Sequence, residues 1–217
     1  MTTMPTALDL FCGAGGATRG LQRAGFRVTG VDIERQPHYC GDEFVRADAL
    51  TFPLDGFDFV WASPPCQAYS KSTTALRNNG AKYPDLIDPV RRRLEQCGTP
   101  WTIENVIGAP LHAQLLLCGT MFSLPLLRHR IFEMNFRFPS LVPCCQHTGN
   151  EIPVYGHGTP NWHRGRYDRN FLTSEKRAAM GIDWMTRDEL IQAIPPAYSE
   201  WIARQWLRSI ERQEAQP

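Results

Sequence analysis

Residues 7–33 read ALDLFCGAGGATRGLQRAGFRVTGVDI, and the alternation inside this stretch decides the fold. ALDLF (7–11) is short and apolar, and CGAGG (12–16) is a turn. ATRGLQRAG (17–25) has helical character, and RVTGVDI (27–33) returns as a second strand. A strand, a glycine turn, a helix and a second strand form a parallel pair joined by a crossover. Gly13, Gly15 and Gly16 let the backbone approach a ligand closely where the first strand gives way to the helix. Asp32 follows 19 residues after Gly13, at the end of the second strand, where a carboxylate accepts hydrogen bonds from ribose hydroxyls. Asp48, in RADAL, is placed at the end of a third strand beside an adenine. The ligand that fits is a dinucleotide or S-adenosylmethionine; a purely structural turn with surface acids is the plainer alternative.

Working outward, further strands are expected at FDFVWAS (57–63), PWTIENV (100–106), AQLLLCG (113–119) and RIFEMNF (130–136). A helix is expected over DLIDPVRRRLEQCG (85–98), closed by Gly98. Strands alternating with helices predict an α/β fold, a mainly parallel sheet with helices on both faces. From about 137 to 170 the pattern collapses into a Pro-, Gly-, His- and Arg-rich stretch, read as a long loop or small insert. Helices resume at Thr173 or Ser174, and again near Pro195 or Pro196 to about Arg212. The expected organisation is a cofactor-binding domain over 1–136, an insert over 137–170, and a helical part over 171–217 that completes the first.

At 217 residues, 42% of them apolar, the chain has material for one domain and a real core. No apolar run is long enough to span a bilayer, and MTTMPTALDLF lacks a charged region followed by an apolar one, so no secretory signal is expected. Seven scattered cysteines point to free thiols in a reducing compartment, the cytoplasm, not to a disulfide scaffold. Net charge is +1, which announces no strong basic field. Of the 23 cations only Lys71, Lys82 and Lys176 are lysines. Arginine suits bidentate contacts with phosphates and bases, although a GC-rich coding sequence produces the same bias.

Three short stretches could carry chemistry. In WASPPCQAYS (61–70) two prolines stiffen the approach to a single thiol, Cys66, at the carboxyl edge of the expected sheet. Cysteine is the strongest ready nucleophile near neutral pH. Cys12, Cys40, Cys97 and Cys118 are read instead as small buried apolar residues. In WTIENV (101–106) Glu104 ends an apolar strand, where a carboxylate is costly unless paired or protonated. A protonated Glu there could donate to a ring nitrogen; a backbone-bonded strand end is the alternative. In RHR (128–130) alternate positions let Arg128 and Arg130 face one target, unless the stretch is an exposed charged edge.

Together these stretches resemble the DNA (cytosine-5) methyltransferase family, in matching order from residue 7 to about 136. The resemblance implies a Rossmann-like, S-adenosylmethionine-dependent methyltransferase fold. DLFCGAGG would bind cofactor through Asp9, Phe11, Gly13, Gly15 and Gly16, VDIE through Asp32 and Ile33, and AD through Asp48 and Ala49, with Pro65 adjoining. SPPCQAYS is similar to the family's nucleophile motif, with Cys66 adding to cytosine C6 and Ser63, Pro64, Gln67 and Ser70 around the substrate. TIENV supplies Glu104, which protonates the base at N3, and Asn105 beside it. RHRIF supplies Arg130 to hold the base oxygen and Arg128 to support the site. The family flips its target base out of the duplex. The prolines before Cys66 then aim the thiol at C6.

The chain departs from the family in several places. Only about 137–170 can serve as target-recognition region, with Arg164, Arg166, Tyr155, Trp162 and Tyr167 suited to phosphate contact and base stacking, or to a mobile surface loop. Cys144, Cys145 and His147 could open a zinc site, yet adjacent cysteines seldom bind one tetrahedral ion, and no metal is assigned. KRAAMGIDW echoes the family's later helical motif and QAIPPAYSEWIA its closing motif. Ile191 and Gln192 replace the usual Gly-Asn there, and Gln192 is carried over as a contact to the cofactor carboxylate. Leu126 replaces a glutamine of the arginine motif. Such a reduced chain resembles the compact versions found in phages, or an enzyme of relaxed specificity. The expected partner is DNA, bound by a monomer. Alternatives are the same chemistry on RNA or a free nucleotide, or an inactive nucleic-acid- or cofactor-binding protein.

Overall fold

In the computed structural model, residues 4–70, 73–112, 115–137, 142, 144–155 and 171–214 are described. The first strand, β1 (Thr6–Leu10), leads through the glycine turn into α1 (Gly16–Arg23) and back to β2 (Arg27–Asp32), beside which β3 (Glu43–Arg46) lies. β4 (Phe59–Ala62), α2 (Thr74–Asn78), α3 (Ile87–Gln96) and β5 (Trp101–Asn105) follow. Then come β6 (Leu115–Leu117), a short 3₁₀ turn, β7 (Leu126–Leu127) and β8 (Arg130–Met134). A short β9 (Ile152–Pro153), α4 (Thr173–Met180), α5 (Arg187–Gln192) and α6 (Pro196–Glu214) complete the chain.

Seven strands form one sheet in the order β3-β2-β1-β4-β5-β8-β6. The strands from β3 to β5 pair in parallel, as the crossover pattern requires. β8 runs antiparallel to both β5 and β6. β4 and β5 are buried at every residue, the mark of a sheet covered on both faces. One face packs Ala7, Phe59, Trp61 and Phe132 against Leu21 of α1 and Tyr198, Ile202 and Trp206 of α6. The other packs Leu8, Leu10, Val60 and Ile103 against Val90 and Leu94 of α3. The expected α/β architecture is present, and every expected strand and helix falls within a few residues of an observed one.

Two long-range devices hold the layers in place. Arg91 of α3 makes a forked ion pair with Glu133 of β8, Nε to Oε1 at 2.7 Å and Nη2 to Oε2 at 2.8 Å, fastening the helix to the antiparallel end of the sheet. On the opposite face α1 meets α6 so closely that Gly20 has no room for a side chain. A Cβ there would lie 2.0 Å from Ser199 Oγ and 2.1 Å from the Pro196 carbonyl. Because a backbone oxygen cannot swing aside, Gly20→Ala should destabilise the protein by about 3 kcal/mol, the upper end of the cost of overpacking. Urea denaturation with an unchanged m-value would measure it.

The stretch from 137 to 170, expected as a loop or insert, is tied to the body over its described part. β9 pairs with β7 in parallel, Val154 is fully buried in a third apolar cluster with Ala179, Met180 and Met185, and the turn before β9 closes on Glu151. Arg164, Arg166, Trp162 and Tyr167 lie outside the described residues.

Candidate active site

Every parallel strand points its carboxyl end at the same edge, and the residues singled out from the sequence gather there. The turn after β1 takes an unusual path: Phe11, Gly13 and Gly15 have φ of 60°, 49° and 89°. Glycine adopts such angles freely; Phe11 does so at a cost of order 1–3 kcal/mol, which marks a constrained position. Gly13 N–H donates to Asp32 Oδ2 at 3.0 Å, joining the turn to the end of β2. The neighbourhood of Gly16 is filled by the segment before α6, since a Cβ there would come 2.5 Å from the Ile194 carbonyl. Trp184 Nε1 donates to the Ala14 carbonyl at 2.8 Å, so the C-terminal part closes over the same turn.

Next to Asp32 stands Ile33, a large apolar side chain that is 62% exposed. A carboxylate beside an exposed aliphatic surface, at the mouth of a glycine turn, fits a nucleoside: a polar sugar edge with an apolar base face. The Asp32 carbonyl accepts from Ala47 N–H, which brings Asp48 close to this edge; Asp48 is exposed and its Oδ1 accepts from Leu50 N–H. Three expected contacts need correction. Asp9 has no exposure and instead accepts from Thr18 Oγ1 at 2.6 Å, so it braces the turn from beneath. Burial pushes its carboxyl up to about 7. Ala49 is buried in the α3-side core. Gln192 is exposed and turns back to the Asp188 carbonyl of its own helix; its neighbours Ala193 and Ile194, not its side chain, meet the glycine turn.

Beyond β4, Pro64 and Pro65 deliver Cys66, which is half-buried and free. Its carbonyl accepts from Tyr69 N–H at 3.0 Å and Ser70 N–H at 2.8 Å, so the thiol heads a tight turn. That turn continues through the Gln67 carbonyl, which accepts from Thr73 Oγ1 at 2.7 Å and Arg77 Nη1 at 2.8 Å. Asn105 Nδ2 donates to the Pro64 carbonyl at 2.9 Å, tying the thiol's approach to the strand that carries Glu104. Glu104 is buried, and its Oε1 lies 2.8 Å from Arg130 Nε. Ser63 also hydrogen-bonds Glu104. Neither arginine forms the exposed charged edge that was one reading of RHR.

The electrostatics follow from burial. Desolvation pushes the Glu104 carboxyl above its ordinary range despite Arg130, Arg128 and Ser63, which favour the ionised form. Desolvation likewise pushes the Cys66 thiol up, while Arg130 and Arg128 draw it down and Glu104 raises it. Glu104, Cys66 and the two arginines thus act on one another through a shared, poorly hydrated space.

Arg128, expected to support the site, is enclosed and does not share one open target with Arg130. It has no exposure: Nη1 donates to the Val154 carbonyl and Nη2 to the Ile191 carbonyl at 3.0 Å, while the Arg128 carbonyl accepts from Tyr198 Oη. Burial and the neighbouring Arg130 lower its guanidinium to about 9. Arg128 is a positioning residue whose charge reaches the site and whose hydrogen bonds hold the C-terminal part to the sheet. Sequence reasoning missed the tethers Thr18, Trp184 and Arg77, for which the sequence carries no local signal.

The sequence model of C-5 cytosine-specific DNA methylases matches residues 6–112, which contain the glycine turn, Asp32, Cys66 and Glu104. Over these residues the chain is similar to this family. A Type II methyltransferase, M1.HphI of Haemophilus parahaemolyticus, is 34% identical over 82 residues. That match covers 30% of this chain and only 22% of the relative's length. Among solved structures, a candidate DNA modification methyltransferase encoded within an E. coli prophage aligns over 95% of this chain and 99% of its own, with a TM-score of 0.64 and 14% identity. DNMT2 of Spodoptera frugiperda aligns over 94% and 99%, with a TM-score of 0.64 and 12% identity. At those identities the likeness shows the fold alone, a mostly parallel sheet with helices. No helix among the described residues is long and apolar enough to cross a membrane.

S-adenosylmethionine is the methyl donor of C-5 methylases. The glycine turn, Asp32 and exposed Ile33 fit its adenosyl part. Asp32→Asn keeps the size but weakens the charge that orders the turn and would accept from a ribose. It should therefore lower cofactor affinity by about tenfold, corresponding to one charge-assisted hydrogen bond. Isothermal titration with S-adenosylhomocysteine measures this without turnover.

Proposed function

We propose that the chain transfers a methyl group from S-adenosylmethionine to C5 of cytosine in DNA, through a covalent bond between Cys66 Sγ and C6 of the base. The observation that carries this reading is the buried Glu104–Arg130 pair at the strand edge, bound to the Cys66 turn through Asn105 and Pro64. A carboxyl raised by burial, an arginine fixed beside it and a thiol in the field of both meet the needs of a pyrimidine ring. One group donates to N3, one holds O2, and one attacks C6.

When bound, the cofactor supplies an electrophilic methyl group. The residues do the rest. Arg130, held through Nε by Glu104 and through Nη1 by the His129 carbonyl, offers its other N–H groups to the base oxygen. The Cys66 thiolate forms the S–C6 bond as the C5–C6 π electrons shift toward C5 and N3 takes a proton from Glu104. The electron-rich C5 would take up the methyl group as its bond to the cofactor's sulfonium sulfur breaks, leaving S-adenosylhomocysteine. Loss of the C5 proton to solvent, return of the N3 proton to Glu104 and departure of the thiolate restore the aromatic ring. Covalent addition makes an unreactive carbon nucleophilic. Placing the thiol and Glu104 around one ring requires the base to leave the duplex stack.

DNA is favoured because the family model is that of DNA methylases. In this reading 137–170 forms a reduced target-recognition segment, with Arg164 and Arg166 on the DNA backbone. The test is transfer of labelled methyl from S-adenosylmethionine to duplex DNA, to tRNA and to cytidine nucleotides in parallel. Label on C5 of cytosine in DNA supports the proposal. Label on RNA or nucleotide alone would replace the substrate and keep the chemistry, and no label on any of them would overturn both.

A further inference from the structure

Four side chains remote in sequence converge beside the paired arginines without any part in the chemistry above. They are Cys118, at the end of β6; His129, between β7 and β8; and Cys145 and His147, on the segment leading to β9. One thiol or ring nitrogen from each lies within 4.8 Å of all the others. Cys118 Sγ is 3.2 Å from His147 Nε2, and Cys145 Sγ is 3.8 Å from His129 Nε2. The two imidazoles meet edge to face with centroids 5.0 Å apart. From these positions we infer that the chain holds one structural zinc ion, bound by Cys118, His129, Cys145 and His147.

The geometry agrees with the ion. With Zn–S of about 2.3 Å and Zn–N of about 2.0–2.1 Å at tetrahedral angles, sulfur and nitrogen ligands lie about 3.6 Å apart. The two measured S···N distances bracket that value. Two thiols and two imidazoles suit a borderline-soft ion without geometric preference, and not a hard cation. Four protein ligands close the coordination shell, so the ion has no open position for a reactive water and its role is structural. Exposed His147 and half-buried Cys145 give an entry path, while Cys118 forms the buried floor. Thr120 Oγ1 donates to Cys118 Sγ at 3.6 Å and accepts from Gln146 N–H at 3.2 Å, a supporting contact around a ligating thiolate.

The spacing explains why the site escapes a scan of the sequence. Ligands at 118, 129, 145 and 147 follow no Cys-x₂₋₄-Cys rule, and the conspicuous neighbour, Cys144, is exposed and outside the cluster. The consequence is mechanical. His129 lies between Arg128 and Arg130 in the chain. An ion on His129 therefore pins the backbone that carries both arginines and anchors the segment 145–147 to the edge of the sheet.

The test is metal analysis of the purified wild-type chain, prepared without chelator, beside Cys145→Ser, His147→Ala and Cys144→Ser. The expected result is one zinc per chain in wild type and in Cys144→Ser, with loss from the other two. His147 is exposed, so its variant should remain folded by circular dichroism while failing to retain zinc through dialysis. Cobalt exchanged into wild type should give the visible absorption of a tetrahedral ion and thiolate charge-transfer bands. A folded wild type with substoichiometric zinc and only octahedral cobalt absorption would overturn the inference, as would a Cys118–Cys145 disulfide in place of metal. Retention of zinc by Cys145→Ser with loss from Cys144→Ser would overturn the ligand set. None of these readings depends on methyl transfer.

Discussion

Replacing Cys66 with alanine should abolish methyl transfer, by at least about 10⁴-fold in turnover, because no other group can form the bond to C6. The thiol heads a turn whose hydrogen bonds run through the Cys66 and Gln67 carbonyls, so the variant keeps its backbone contacts. Cofactor affinity, which the proposal assigns to the glycine turn and Asp32, should be unchanged. Equilibrium binding of S-adenosylhomocysteine beside single-turnover methylation separates the two. Loss of cofactor binding along with activity would instead mean that Cys66 supports the structure of the site.

Glu104→Gln should lower turnover by about 10²–10⁴-fold, the usual worth of a positioned proton donor. It keeps an oxygen for Arg130 and loses the transferable proton. The stability effect has the opposite sign from that of an ordinary ion pair. Burial raises the Glu104 carboxyl above its usual value of 4.5 in the folded state. A raised carboxyl contributes its full stability below the unfolded value and loses it as pH climbs through the folded one. At alkaline pH the ionised Glu104 is therefore a cost that glutamine removes. The variant should be at least as stable as wild type there while nearly inactive, and its pH–rate profile should lack the alkaline limb that Glu104 gives wild type. Thermal melts across pH, with single-turnover rates at the same points, check both halves. A variant markedly less stable at alkaline pH would mark Glu104 as structural.

What the sequence made legible was local. The strand–turn–helix unit of 7–33 depends on neighbours in the chain, and so does the stiff proline approach to Cys66; both stand where expected. The direction of β8 was not legible, since an apolar run such as RIFEMNF carries no sign of whether it pairs parallel or antiparallel. Nor was the enclosure of Arg128. Its acceptors are the carbonyls of residues 154 and 191, and nothing near 128 shows that the guanidinium will be enclosed. Asp9 was misplaced for a related reason: alternation along β1 turns it toward Thr18 of α1 beneath the turn, not out of its mouth. Cys118 was correctly read as buried, but the histidines facing it come from 129 and 147, a convergence that only the sheet creates.

The central claim is the covalent bond from Cys66 to C6, and a duplex carrying 5-fluorocytosine at candidate target cytosines tests it most directly. After methyl transfer, fluorine cannot leave C5 as a proton does, so the adduct cannot resolve. With S-adenosylmethionine present, wild type should shift to a protein–DNA band stable to denaturation, with the added mass on the peptide containing Cys66, and Cys66→Ala should give none. Methylation of an ordinary cytosine duplex by wild type, without any trapped adduct on its fluorinated counterpart, would contradict the account.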